Sequence, residues 1–203
     1  MWYNKNMIKR GLFIGVLCCF LGLSSPSYAG NAVIEAIIGF VMPGGIFKHA
    51  DISFGDIGVS NLPTSNGEVR LHPDGSIDTD IPEMTLSGGH NAGHVEFFQA
   101  AGDIEVRCSD AVFLANDNGD TVRISEVRIA FPAPAAWGVS SVCNGIAGAP
   151  AGAYDLTADP DPTLSIYIGA RLEFDGANPL DDIGAYNSSN AGGEMIELEI
   201  TLL

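Results

Sequence analysis

Few side chains in this sequence have the type and spacing to do chemistry. Cys108 and Cys143 stand 35 positions apart, and no other cysteine follows residue 29. In an exported chain an even pair reads as one disulfide. It would stabilise the fold by about 3–4 kcal/mol by restricting the unfolded chain. Two reduced buried thiols are the competing reading, and metal ligation by two lone cysteines is a weaker one. His90 and His94 are four apart, which on a helix would place both imidazoles on one face for a metal. Gly88, Gly89 and Gly93 argue for a loop instead, and no third histidine or cysteine lies near in sequence. His49 and His72 read as lone side chains on strand or turn surfaces.

The acid-rich turns are equally plain. Asn116, Asp117, Asn118, Gly119 and Asp120 could offer oxygens to calcium. They lack the spaced acids and closing glutamate of an EF-hand, so a solvated acidic turn is the simpler reading. Asp159, Asp161, Asp181 and Asp182 are read the same way. Trp137, Tyr154 and Phe131 could make a sugar platform, although aromatics more often cap a core. No phosphate-cradling loop, nucleophile elbow or paired-histidine zinc motif occurs. Acids are plentiful, yet no pair is singled out for glycoside hydrolysis. The residues therefore predict no catalytic centre, no cofactor and no metal site.

These side chains belong to an exported domain. Lys5, Lys9 and Arg10 precede an apolar stretch over residues 11–23, and Ser27, Tyr28 and Ala29 offer a cleavage site. That is a secretory signal over residues 1–29, removed after Ala29. A retained anchor would want a second basic flank. Cys18 and Cys19 lack the small preceding residue of a lipoprotein signal. The expected destination is the periplasm, the cell surface or the medium, with no membrane span left. Residues 30–203 then form one domain. Six basic side chains face 25 acids there, a balance of −19. Such a surface repels nucleic acid and anionic lipid.

Period-two alternation dominates the chain. Ile196, Leu198, Ile200 and Leu202 share one parity, and Glu197, Glu199 and Thr201 share the other. This predicts a half-buried strand over residues 194–202, central or near-central in its sheet. Further strands are expected over residues 51–58, 68–72, 81–86, 94–99, 104–108, 111–114, 121–131 and 164–174. Pro82 places the third of these at an edge or strand start. Gly169 is expected to mark a bulge or bend. Residues 132–162 read as a long irregular connection pinned by the disulfide, and residues 175–190 as loop. Short strands separated by turn residues predict an all-β, antiparallel β-sandwich.

The segment over residues 32–42 carries the assembly question. Ile34, Ala36, Ile38, Phe40 and Met42 share one parity, with Pro43, Gly44 and Gly45 behind them as a hinge. Such a strand either completes its own sheet or is lent to another copy. In the second case Ile34, Ile38, Phe40 and Met42 would fill the neighbour's pockets. Pairing within the chain is the preferred expectation.

The order of short motifs also carries a likeness. Ser53-Phe54-Gly55, Gly67-Glu68-Val69, Pro73-Asp74-Gly75, residues 169–172 and Gly184-Ala185-Tyr186 precede the terminal strand. In this the chain resembles the bacterial exported proteins of domain-of-unknown-function family DUF4402. More distantly it is similar to chaperone–usher pilus subunits and spore-coat-like secreted pilins. The resemblance implies an immunoglobulin-like β-sandwich at the cell surface without enzymatic activity. It implies a structural or adhesive subunit whose partners are other copies of itself or related subunits. The alternative is a secreted soluble module that binds carbohydrate or a cation.

Overall fold

The computed structural model describes residues 30–36, 38–41, 45–59, 66–98, 102–156, 163–175 and 184–203. The leader expected over residues 1–29 and Met42 lie outside them, and of Ile34 and Phe40 the backbone alone is described. In chain order the strands are β1 (Gly30–Ala36), β2 (Ile38–Val41), β3 (Gly45–Ala50), β4 (Ile52–Val59), β5 (Gly67–Leu71), β6 (Ile77–Thr79), β7 (Met84–Ser87) and β8 (Gly93–Phe98). They continue with β9 (Asp103–Cys108), β10 (Val112–Ala115), β11 (Thr121–Ala130), β12 (Ser141–Val142), β13 (Gly152–Asp155), β14 (Thr163–Phe174), β15 (Ala185–Asn187) and β16 (Ile196–Leu202). One 3-10 turn, Trp137–Val139, interrupts the 132–162 connection, where β12 and β13 also form. No helix among the described residues is long and apolar enough to cross a membrane.

The expected all-β sandwich is what the chain forms. One layer is a 12-stranded sheet whose main path runs β3-β8-β14-β11-β10-β15-β1-β4-β7. It curls into a half-barrel until β4 meets the start of β8. There Ser53 and Asn91 exchange backbone hydrogen bonds, N–H to O, of 3.0 and 2.8 Å. The other layer is a four-stranded sheet, β13-β9-β16-β2. Ile104, Val106, Leu198 and Ile200 from this sheet share one core with Phe54, Phe97, Ile129 and Ile166 from the half-barrel. Burying one such side chain contributes about 1.5–3 kcal/mol. The terminal strand β16 sits inside its sheet, between β9 and β2, as its alternation predicts.

Bulges keep the long strands in phase with the curl. Along β4 the inward residues are Ile52 and Phe54, then Ile57, a step of three where alternation demands two. The register against β1 slips at that place, and Gly55 has φ +69°. A left-handed glycine at a bulge re-aims the strand, which accounts for the Ser53-Phe54-Gly55 motif. The same step of three separates Ile124 from Val127 on β11, at a slip of register against β14.

Gly169 is not a bulge. β14 runs through it unbroken, paired with β11 along one side. Along the other side it pairs with β8 through Ile168 and with β5 from Ala170 onward. Where the partner changes, a Cβ on Gly169 would fall 2.4 Å from the Leu71 carbonyl oxygen and 2.7 Å from the Pro73 nitrogen. Glycine is required there by close approach of a third strand.

The N-terminal segment divides between the layers. β1 lies between β15, in parallel, and β4, in antiparallel register, within the half-barrel. β2 pairs in parallel with β16 in the other sheet. Among the described residues these two parallel ladders are the exceptions in an otherwise antiparallel fold. The disulfide ties the same two layers. Cys108 ends β9, and Cys143 follows β12, which pairs with β11. Their Cα atoms are 5.2 Å apart, and both side chains are buried.

Candidate functional site

Three side chains with ligand chemistry meet on the outer face of the half-barrel. On β8, Val95 and Phe97 point into the core, so His94 and Glu96 face outward. β3 pairs with β8 as the edge strand, and its register slips between Lys48 and Ala50. The extra residue in that slip is His49. A bulge re-aims a side chain, and here it brings His49 against both outward residues of β8. His49 Nε2 lies 2.8 Å from Glu96 Oε2. The rings of His49 and His94 stack with centroids 4.6 Å apart. Tyr167, opposite His94 on β14, stacks on its other face at 4.6 Å. Phe47 meets His49 edge-on at 4.7 Å.

One ligand atom from each of His49, His94 and Glu96 lies within 4.8 Å of the others. Burial and the neighbouring His49 hold the His94 imidazole below its ordinary pKa, against the opposing pull of Glu96. The His94 Nε2 is buried and meets no hydrogen-bond partner among the described residues.

This grouping corrects the sequence reading of His49, which is not a lone side chain but stacks on His94 across the strands. His72 joins a different constellation. A bulge in an exposed edge strand leaves no periodic signal, so only the fold brings these residues together.

In the acidic turn at residues 116–120 the Asn116 side chain closes the loop. Asn116 Oδ1 accepts the backbone N–H groups of Asn118 and Asp120 at 3.0 and 2.8 Å. Its Nδ2 donates to Asp120 Oδ2 at 3.0 Å. The hairpin joining β10 and β11 is thus closed by Asx-type bonds. Trp137 and Phe131 do not make one platform. Phe131 packs edge-on with Tyr154, centroids 6.1 Å apart, whereas Trp137 lies under the Arg128 guanidinium at 4.9 Å.

Trp137 belongs to a closed circuit of charges on the outer face of β5, β14 and β11. Arg171 bridges Glu68 and Glu126, at 3.1 Å each. Glu126 also holds Arg128 at 2.5 Å, and Arg128 donates to the Trp137 carbonyl at 2.8 Å. The Trp137 N–H donates to His72 Nδ1 at 3.3 Å, and His72 Nε2 contacts Asp78 at 2.8 Å. Asp78 and Glu68 both bind Arg70, which completes the circuit. Lys48, Arg107 and Arg123 pair with Asp51, Glu105 and Glu173. Every basic side chain after residue 29 is therefore neutralised by a neighbouring acid, and the excess charge displayed is negative.

The expected assembly residues fall in two places. Ile34 stands in register with Tyr186 on β15 and Gly55 on β4, in the half-barrel. Ile38 and Phe40 stand in register with Ile196 and Leu198 in the other sheet. The Ile38 side chain is buried and packs over β8, since a Cβ on Gly93 would meet its Cδ1 at 2.6 Å. Compared with known proteins, this chain matches no family model, no curated protein and no solved structure.

Proposed function

We propose that this chain is an exported structural or adhesive surface module, a pilin-like β-sandwich that works through strand pairing and surface contact without catalysis. The observation that carries the reading is the placement of residues 30–41. The segment fills one lane between β15 and β4 and a second beside β16, so it staples two layers that share a single core. A strand in that position leaves two unsatisfied main-chain edges when it is withdrawn, and such edges accept a strand of matching pattern. The short motifs read as resembling DUF4402 and pilus subunits point to the same class. The inter-layer disulfide and the signal-like leader support export to an oxidising compartment. The acidic surface, with its cations paired, supports contact with proteins or glycans rather than with nucleic acid.

Deleting residues 30–42 tests this reading, with circular dichroism and sedimentation as readouts. Loss of the monomer's fold is the expected result and makes the segment an integral strand. A folded core that takes up a synthetic peptide of residues 30–42, or that no longer forms the polymers of the intact chain, makes it a donated strand. A deletion that leaves both folding and assembly intact removes either role.

A further inference from the structure

The geometry points to a binding site for one first-row divalent transition-metal ion, of which zinc is the type, formed by His49, His94 and Glu96. Two imidazoles and one carboxylate are a donor set that zinc takes with an open fourth position. Imidazole favours zinc, copper and nickel, whereas calcium demands six to eight oxygens. Three observations support the site independently. The bulge spends an irregularity of the edge strand on aiming His49 at β8. His94 holds a buried ring nitrogen without a hydrogen-bond partner among the described residues. The three donor atoms already lie within 4.8 Å of one another, on two paired strands rather than in loops.

Closure around the ion is short. Ligands bound to tetrahedral zinc at about 2.0–2.1 Å sit about 3.3 Å apart, so a donor pair at the 4.8 Å limit closes by about 1.5 Å, while His49 Nε2 and Glu96 Oε2, now 2.8 Å apart, open by about 0.5 Å. His49 is the mobile partner, because its side chain is exposed on the edge strand while Tyr167 backs His94. It leaves its hydrogen bond to Glu96 and turns from the ring stack to present a nitrogen lone pair. The open position faces solvent, where water, a chloride ion or a donor from another protein completes the coordination. The excess of acids over the whole domain favours cations near its surface. The site stands whether or not the module assembles, since it includes no residue of the 30–42 segment.

The test is titration of the purified protein, stripped by a chelator, with zinc chloride by calorimetry and with cobalt(II) by visible absorption. The expected result is one saturable equivalent, with cobalt bands of a four- or five-coordinate ion. His49→Ala, His94→Gln and Glu96→Gln should each weaken zinc at least tenfold. His90→Ala and His72→Ala should leave it unchanged, and excess calcium chloride should not displace it. In the unsubstituted protein, zinc should shift the ring resonances of His49 and His94 and spare those of His90 and His72. That measurement decides the matter even if a substitution unfolds the chain. Absence of saturable binding, binding indifferent to all three substitutions, or equal loss from His90→Ala would overturn the proposal.

Discussion

At Gly169 a single methyl group separates two neighbours that cannot both be satisfied. The atoms it would strike are the Leu71 carbonyl oxygen, the Pro73 nitrogen and the Cδ of the Pro73 ring, and none of them belongs to a side chain that can swing aside. Gly169→Ala should cost about 1–3 kcal/mol, the usual range for overpacking, read from the urea midpoint at unchanged slope. Gly138, with nothing within 4 Å of its added Cβ, should accept alanine within about 0.5 kcal/mol. The disulfide is the second residue-scale lever. Replacing Cys108 and Cys143 together by alanine should lower stability by about 3–4 kcal/mol in the chain-entropy account, measured the same way. A smaller test lies in the turn before β6. The Ser76 hydroxyl and backbone N–H both donate to Asp74 Oδ1 and hold its carboxyl below the ordinary range. The folded pKa is the lower one, so this support is present above the ordinary carboxylate pKa and fades as the pH falls through the folded value. Ser76→Ala should move the Asp74 titration upward in a carboxyl-detected NMR series.

Among the elements, the alternating strands were legible in sequence and the irregular ones were not. β5, β8, β9 and β16 keep one face in the core and one in solvent, so their period reads directly. β3 is mostly exposed and carries a bulge, so it has no period to read. β15 has three residues and one fully buried side chain, Tyr186, in what reads as loop. Parallel pairing of β1 with β15 and of β2 with β16 is a property of distant register that no local pattern encodes. The candidate metal ligands share that fate, because two strands and a bulge must be in place before they meet. The charge circuit is likewise non-local, and its weight can be measured. Arg171→Leu removes the link between Glu68 and Glu126, both largely sheltered. It should cost about 1 kcal/mol at low salt and less in molar salt. Arg123→Ala, from a half-exposed pair, should change stability by under about 0.5 kcal/mol.

For the molecule as a whole, two devices hold one core between two layers. The disulfide is a covalent link from β9 to the turn after β12, and the N-terminal segment is a hydrogen-bonded link through β1 and β2. Their roles separate by experiment. Ile38 is 3 % exposed and lies over Gly93, so Ile38→Ala should cost about 2–5 kcal/mol. If the segment is an integral strand, thermal unfolding of that variant stays a single transition. If it is a detachable one, the variant frees the segment first, and a second transition shows in the melting curve.

Synthesis delivers the strands of the smaller sheet in an awkward sequence. β2 emerges well before the strand it pairs with, and Ile38 waits for Ile196, 158 positions further along the chain. Closing so long a loop is entropically slow compared with forming the neighbouring hairpins of β10 and β11 or β5 and β6. The half-barrel therefore has the opportunity to assemble while the smaller sheet is still open, and the nascent domain spends that interval with an apolar face uncovered. Refolding should run on the millisecond-to-second scale of non-local β topologies. In pulse-labelled hydrogen exchange, amides of β11 and β14 should gain protection before those of β2 and β16.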